Sequence, residues 1–223
     1  VWKDIENRYI RDMELPFSNA YLAQQLHNDI PSGSTVNLAI LNSIRNWNLF
    51  PFSPNIKCFA NVAAFGIDGC TSMLIGESVA DDNLHFLVTG DLAFFYDLNA
   101  LGIREIKNNV RILLVNNNGG VEFKLGGDAK SNQYTNRYIA ASDHFKDAKG
   151  WAETCGFKYM KANSKSEFLE QKNLFIQKNN RPILFEAFTK DIDAASAYCL
   201  LLRANSERDC SVKGMLKKGI SKV

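Results

Sequence analysis

The stretch 85–120, HFLVTGDLAFFYDLNALGIREIKNNVRILLVNNNGG, decides the fold. His85 to Thr89 and Arg111 to Asn116 are short, nearly continuous apolar runs, as strands covered on both faces of a sheet should be. Each run ends in a polar cluster, Gly90-Asp91-Leu92 after the first and Asn116-Asn117-Asn118-Gly119-Gly120 after the second. A helix-length segment separates them, the pattern of a βα unit in a parallel sheet. In open α/β sheets the ligand crevice lies outside the carboxyl ends of the strands, so an aspartate and an asparagine delivered there by successive strands can converge on one site. Such donors suit a hard divalent cation, because Mg²⁺ takes one or two protein side chains and fills its remaining positions with substrate phosphate oxygens. Asp91 would supply charge, Asn118 a neutral amide oxygen, and Gly119-Gly120 a backbone free enough to turn a carbonyl inward. The plainer reading of the same residues is a capped helix followed by a tight turn.

Outward from this core, four more strand-like runs appear: Thr35 to Leu41, Ile56 to Ala60, Phe157 to Lys161 and Pro182 to Ala187. Helices are predicted between them. Ser18 caps one that runs to about Asn28, and others span Ile67 to Val79, Asp97 to Lys107 and Asp147 to Cys155, the last closed by Gly156. Ser164 and Glu167 form a capping-box pair ahead of a helix whose Phe168, Leu169, Phe175 and Ile176 recur at helical spacing and read as core contacts. The segment 117–141 is rich in Gly, Asn, Ser and Lys without a period, and loops of that length in a compact domain are usually functional or mobile. The fold class is therefore α/β, a three-layer sandwich on a six-stranded, mostly parallel sheet. The domain should cover 1–202, with 1–30 as lead-in segment and helix, and 203–223 as a basic tail.

Composition limits the partners. With 223 residues, 46% of them hydrophobic, the chain can bury a sizeable core. Twenty-six basic residues against 24 acidic ones remove the electrostatic argument for nucleic acid. Five cysteines with no CxxC pair favour a reducing, cytoplasmic setting over a disulfide scaffold or a zinc site. The longest apolar run, Ala194 to Leu202, is far short of the roughly 20 residues that span a bilayer. The chain begins at Val1 without a methionine and reads as part of something longer. His27, His85 and His144 are scattered over helix, strand and loop and read as structural or surface residues, and Trp47, Phe50 and Phe52 as packing.

Asn118 follows Asp91 by 27 residues, and this arrangement resembles the thiamine-diphosphate motif, a GDG-like start followed at that distance by NN and a glycine turn. The runs GDLAFFYDLNAL and VNNNGG resemble one branch of those enzymes, the 2-succinyl-5-enolpyruvyl-6-hydroxy-3-cyclohexene-1-carboxylate (SEPHCHC) synthases of menaquinone biosynthesis, as does Gly66-Ile67-Asp68-Gly69. The resemblance implies the C-terminal pyrophosphate-binding domain of a 2-oxo acid decarboxylase and carboligase, with thiamine diphosphate and Mg²⁺ as cofactors. It implies Asp91 and Asn118 as side-chain metal ligands and Gly120 as a carbonyl ligand. It places Phe65, Gly66, Ile67, Gly90, Leu92 and Ala93 against the cofactor, Ile67 being the bulky residue that holds it bent. Ser43, Arg45 and Phe123 fall on the substrate side. The activating glutamate would come from the pyrimidine-binding domain of the same or a partner subunit, so this chain alone should be inactive. The parent enzyme should be a homodimer or homotetramer acting on 2-oxoglutarate and isochorismate.

The sequence departs from that pattern. Val62 stands where an arginine should grip a carboxylate, and an isopropyl group cannot replace a bidentate guanidinium. Ala93 replaces a serine, Trp47 replaces a second arginine for which Arg45 is the nearby substitute, and Glu122 and Lys124 occupy positions that are mostly neutral in the branch. A decarboxylase or acetolactate-synthase-like carboligase on another 2-oxo acid is the alternative. A non-catalytic cofactor-binding module is a third reading.

Overall fold

The computed structural model describes residues 13–62, 66–124 and 134–201, apart from the side chains of Phe123 and Lys124. Expectations for Phe65, for the Phe123 side chain, for the first twelve residues and for the basic tail lie outside the described residues. Six strands form one sheet: β1 (Thr35–Leu38), β2 (Lys57–Ala60), β3 (His85–Gly90), β4 (Val110–Asn116), β5 (Lys158–Ala162) and β6 (Ile183–Phe188). Their order is β2-β1-β3-β4-β6-β5. Every pairing is parallel, so the sheet is more uniform than the mostly parallel one predicted. All six predicted runs became strands. β1 ends three residues early because Leu41 takes φ 67°, a left-handed conformation no strand accommodates.

Helices cover both faces, giving the predicted α/β sandwich. On one face α1 (Asn19–Leu26), α2 (Asn42–Trp47), α6 (Lys165–Ile176) and a closing helical segment, α7 (191–201), pack through Leu22, Trp47, Phe168, Phe175 and Leu201. On the other, α3 (Cys70–Ser78), α4 (Asp91–Tyr96) and α5 (Lys149–Thr154) pack through Leu74, Phe94 and Ala152. The alternation inside β6 shows how one strand serves both layers: Ile183, Phe185 and Ala187 join the first cluster, Leu184 the second. Phe185 is held by a stacked ring, Phe168, with centroids 5.3 Å apart.

The caps explain most helix starts. Ser18 Oγ accepts from Tyr21 N–H, and Ser164 Oγ from Glu167 N–H, as predicted. Glu167 reaches back one residue further than a capping box requires, accepting from Asn163 N–H at 2.8 Å. Gly156 takes φ 84° after α5.

Three expectations need correction. The helix predicted from Asp97 to Lys107 begins instead at Asp91 and is followed by a 3₁₀ turn, Leu98–Gly102. The Asp97 carboxylate accepts from Ser72 N–H and Ser72 O–H and so serves the first turn of α3. α3 itself starts at Cys70 rather than Ile67, because Gly69 at φ 76° is its boundary. Leu169 is 41% exposed and stands outside the stripe formed by Phe168 and Phe175.

Two topological reversals follow from the strand order. The chain leaves β1 and β3, and again β4 and β6, toward opposite faces, so crevices open at the carboxyl ends of these pairs. Asp91 and Asn116 stand at those ends.

Candidate functional site at the ends of β3 and β4

Gly90 closes β3 in an extended conformation and Asp91 opens α4, so the aspartate is presented at the strand end by the strand itself. It is 2% exposed. Its Oδ1 accepts from Leu92 N–H at 2.8 Å, and its Oδ2 from Gly119 N–H at 2.9 Å. The second bond joins the β3 and β4 ends across 28 residues of sequence. Burial pushes the Asp91 carboxyl above its ordinary value, against the opposing pull of His144 and the Gly119 amide.

Gly119 has to be glycine. At φ 148° an added Cβ would lie 2.8 Å from Ser142 Cα and 3.0 Å from the Ala140 carbonyl. That close approach lets the turn after β4 pack against 140–146. Gly120 N–H donates to the Ala140 carbonyl, and Asp143 N–H donates to that of Asn118. Asn118 sits at φ 66°, with its N–H on Asn116 Oδ1 at 3.1 Å.

The predicted metal donors therefore meet, and hydrogen bonds from one segment already engage two of them. His144 Nε2 lies 3.0 Å from Asp91 Oδ2, and Phe145 N–H donates to Asn118 Oδ1 at 2.7 Å. His144 Nδ1 accepts from Lys146 N–H, which assigns the imidazole proton to Nε2 and makes the ring a neutral donor to the carboxylate. The ring stands edge-on to Phe95, centroids 5.5 Å apart. His144 is a structural residue, as expected, and the structure adds its contact with Asp91. No local signal could have found it, since 53 residues separate it from Asp91.

In chemical type the donors fit Mg²⁺, with one carboxylate, one amide oxygen and a nearby backbone carbonyl. Among the described residues no group of three His, Cys, Asp or Glu side chains could hold a metal instead. Asp91 accepts three hydrogen bonds and Asn118 Oδ1 one, which leaves a lone pair on Asp91 Oδ1 and one on Asn118 Oδ1 for a cation. Asn117 Oδ1, Glu122 Oε2, Asn136 Oδ1 and Ser142 Oγ, on the turn after β4 and on 134–146, are buried without a hydrogen-bond partner among the described residues.

The other predicted residues are more spread out. Leu92 and Ala93 lie on α4 beside Asp91, Ala93 being buried. Gly66 and Ile67 lie in the turn between β2 and α3, where the Ile67 carbonyl accepts from the Cys70 thiol. Ser43 is buried in α2. Arg45, on the same helix, donates to Glu122 from the 3₁₀ turn Val121–Lys124, linking the segments after β1 and β4. Trp47 is 1% exposed and donates to Asn19 Oδ1, confirming it as packing, while Val62 is 42% exposed. Beside Asn118 a cleft of about 320 Å³ opens between β4 and β6, lined by Asn116, Phe145, Lys146, Phe188 and Thr189.

No protein-family model matches the chain. Curated proteins do. It is 37% identical over 179 residues to the 2-succinyl-5-enolpyruvyl-6-hydroxy-3-cyclohexene-1-carboxylate synthase of Phocaeicola vulgatus, covering 79% of this chain and 32% of that protein. To the enzyme of the same name from Christiangramia forsetii it is 34% identical over 176 residues, 79% of this chain and 30% of the relative. To that of Bacteroides thetaiotaomicron it is 34% identical over 197 residues, 87% and 35% of the two chains. The chain thus spans about a third of the length of the curated relatives it matches.

Proposed function

The chain is a relative of the SEPHCHC synthases, and from that kinship we propose that it forms the cofactor-diphosphate and Mg²⁺-binding part of a thiamine-diphosphate-dependent 2-oxo acid decarboxylase and carboligase. The observation that carries this reading is the bond from Gly119 N–H to buried Asp91, which unites the ends of β3 and β4 at the motif spacing. The Asp91 carboxylate, the Asn118 amide oxygen and the Gly120 carbonyl would hold the cation. Gly90, Leu92 and Ala93 would line the diphosphate, and Ile67 would support the cofactor ring. The bound cofactor supplies the carbanion chemistry. What this chain would contribute is a carboxylate fixed by three hydrogen bonds and a turn whose glycine admits close packing. A pyrimidine-binding domain, of the same or a partner subunit, would complete the site in a dimeric or tetrameric parent.

A second reading concerns the substrate. Trp47 is sealed in the core, Val62 offers an apolar surface, and Arg45 is already paired with Glu122. These residues favour a 2-oxo acid with fewer carboxylates than the pair 2-oxoglutarate and isochorismate. Carbon dioxide release by the parent enzyme from pyruvate against 2-oxoglutarate separates the two.

Calorimetric titration of thiamine diphosphate, with and without Mg²⁺, tests the first reading. Binding should require Mg²⁺ and vanish in Asp91→Ala. Binding that ignores both the cation and Asp91 would overturn the proposal.

A further inference from the structure

Glu186 lies in the middle of β6, fully buried, with its carboxylate on the α5 side of the sheet. A carboxylate inside a sheet is costly unless its lone pairs are met, and here three donors meet them. Oε1 accepts from Asn116 Nδ2 at 2.7 Å. Oε2 accepts from Ala148 N–H at 3.0 Å and from the Tyr159 hydroxyl at 2.8 Å. Burial raises the Glu186 carboxyl, and Tyr159, beside it, is held strongly in its protonated, donating form.

Two of these donors belong to the segments that build the cation site. Asn116 uses its other side-chain atoms on the same region: Nδ2 also donates to the Lys146 carbonyl at 2.8 Å, and Oδ1 accepts from Asn118 N–H. The carboxylate fixes which end of the Asn116 amide points down. It therefore fixes that the oxygen points up to the Asn118 N–H. Asn118 sits at φ 66°, a left-handed conformation that asparagine tolerates better than most residues, and the bond from its N–H to Asn116 Oδ1 fixes the turn there. The bond to Ala148 N–H anchors the far end of the segment that carries His144 and Phe145 onto Asp91 and Asn118.

We propose that Glu186 is a positioning residue which, through Asn116, sets Asn118 opposite Asp91 and ties down the end of the segment covering them. Its importance for the cation rests on the function proposed above, whereas its control of the turn rests on the contacts alone. Glutamine is the sharp substitution. It keeps the shape but turns one acceptor oxygen into an N–H₂, which must face either the Asn116 N–H₂ or the Ala148 N–H, so one of the two ties breaks whichever way the amide turns.

Hydrogen exchange of the 223-residue chain gives the first arm. In Glu186→Gln either the amides of Asn118 and Gly119 or that of Ala148 should exchange at least tenfold faster while those of Val36 and Asn37 in β1 keep their protection. Uniform acceleration, as from a general loss of stability, or unchanged protection at 118, 119 and 148 together, would overturn the proposal. Should Glu186→Gln fail to fold, Asn116→Ala breaks the same link and leaves the carboxylate its other two donors. It should release 118 and 119 and spare Ala148, and continued protection of 118 and 119 would overturn the proposal.

The second arm is calorimetric titration with Mg²⁺ and thiamine diphosphate. Asn116→Ala should weaken Mg²⁺-dependent binding at least tenfold, and Glu186→Gln should do so when it also releases 118 and 119 in the exchange measurement. Full binding by Asn116→Ala with 118 and 119 released would contradict the path through Asn116. Wild-type binding that ignores Mg²⁺ and Asp91 would remove the cation function, leaving the exchange result to decide the positioning of the turn.

Discussion

Asp81 shows how one local partner changes an exposed group. Its carboxylate accepts from His85 Nε2 and from Asn83 N–H, each at 2.8–2.9 Å, and these bonds lower its carboxyl from 3.8 to about 2. A carboxyl depressed in the folded chain adds stability above its unfolded value, and that stability is lost as pH falls through the folded one. The window lies between the ordinary carboxylate value and about 2. Asp81→Asn should flatten that part of the acid-unfolding curve, as followed by circular dichroism, and an unchanged curve would refute the assignment. At this scale the sequence revealed residue types but not partners. Asp91 and Asn118 were legible because strand ends and spacing place them, whereas His144 and Glu186 entered through contacts spanning 53 and 70 residues.

Among the elements, α3 and α4 share a cap. α3 has Gly69 before it and no side-chain cap of its own, and Asp97, just past α4, supplies the missing acceptor to Ser72. Asp97→Ala should cost about 1 kcal/mol, the usual value of a lost N-cap. For a chain of this size the midpoint of thermal unfolding should fall by about 2–4 °C. A helix was expected at 97–107, whereas the chain forms α4 from Asp91 and then a 3₁₀ turn, the Asp97 carboxylate being spent on a neighbouring helix that no local pattern reveals. α2 went unpredicted for a different reason. It has six residues, and the turn into it depends on the positive φ of Leu41, which nothing about a leucine announces.

Across the whole molecule, Arg111 fastens one helix layer to the sheet at the end opposite the site. It is fully buried, and its guanidinium donates to the carbonyls of Phe175, Asn108, Val110 and Gln177. It thereby closes the carboxyl end of α6 onto the start of β4. Burial lowers it from 12.5 to about 10, so it remains charged at neutral pH. Arg111→Met would leave those carbonyls without donors and should cost about 3 kcal/mol. The urea midpoint should fall with little change in slope, and an unaltered midpoint would show that the carbonyls find other donors.

The sequence by itself determined the layered architecture and the placing of Asp91 and Asn118 just past the ends of two neighbouring strands. Apolar runs, helix periods and motif spacing are local, and a parallel sheet converts them into position without further information. Only the tertiary structure decided the sheet order, the reach of His144 to Asp91, the pairing of Arg45 with Glu122 and the anchoring of Asn116 by Glu186. Those contacts join residues far apart in sequence. Their geometry follows from which strand ends the crossovers bring side by side, and no window of sequence contains both partners.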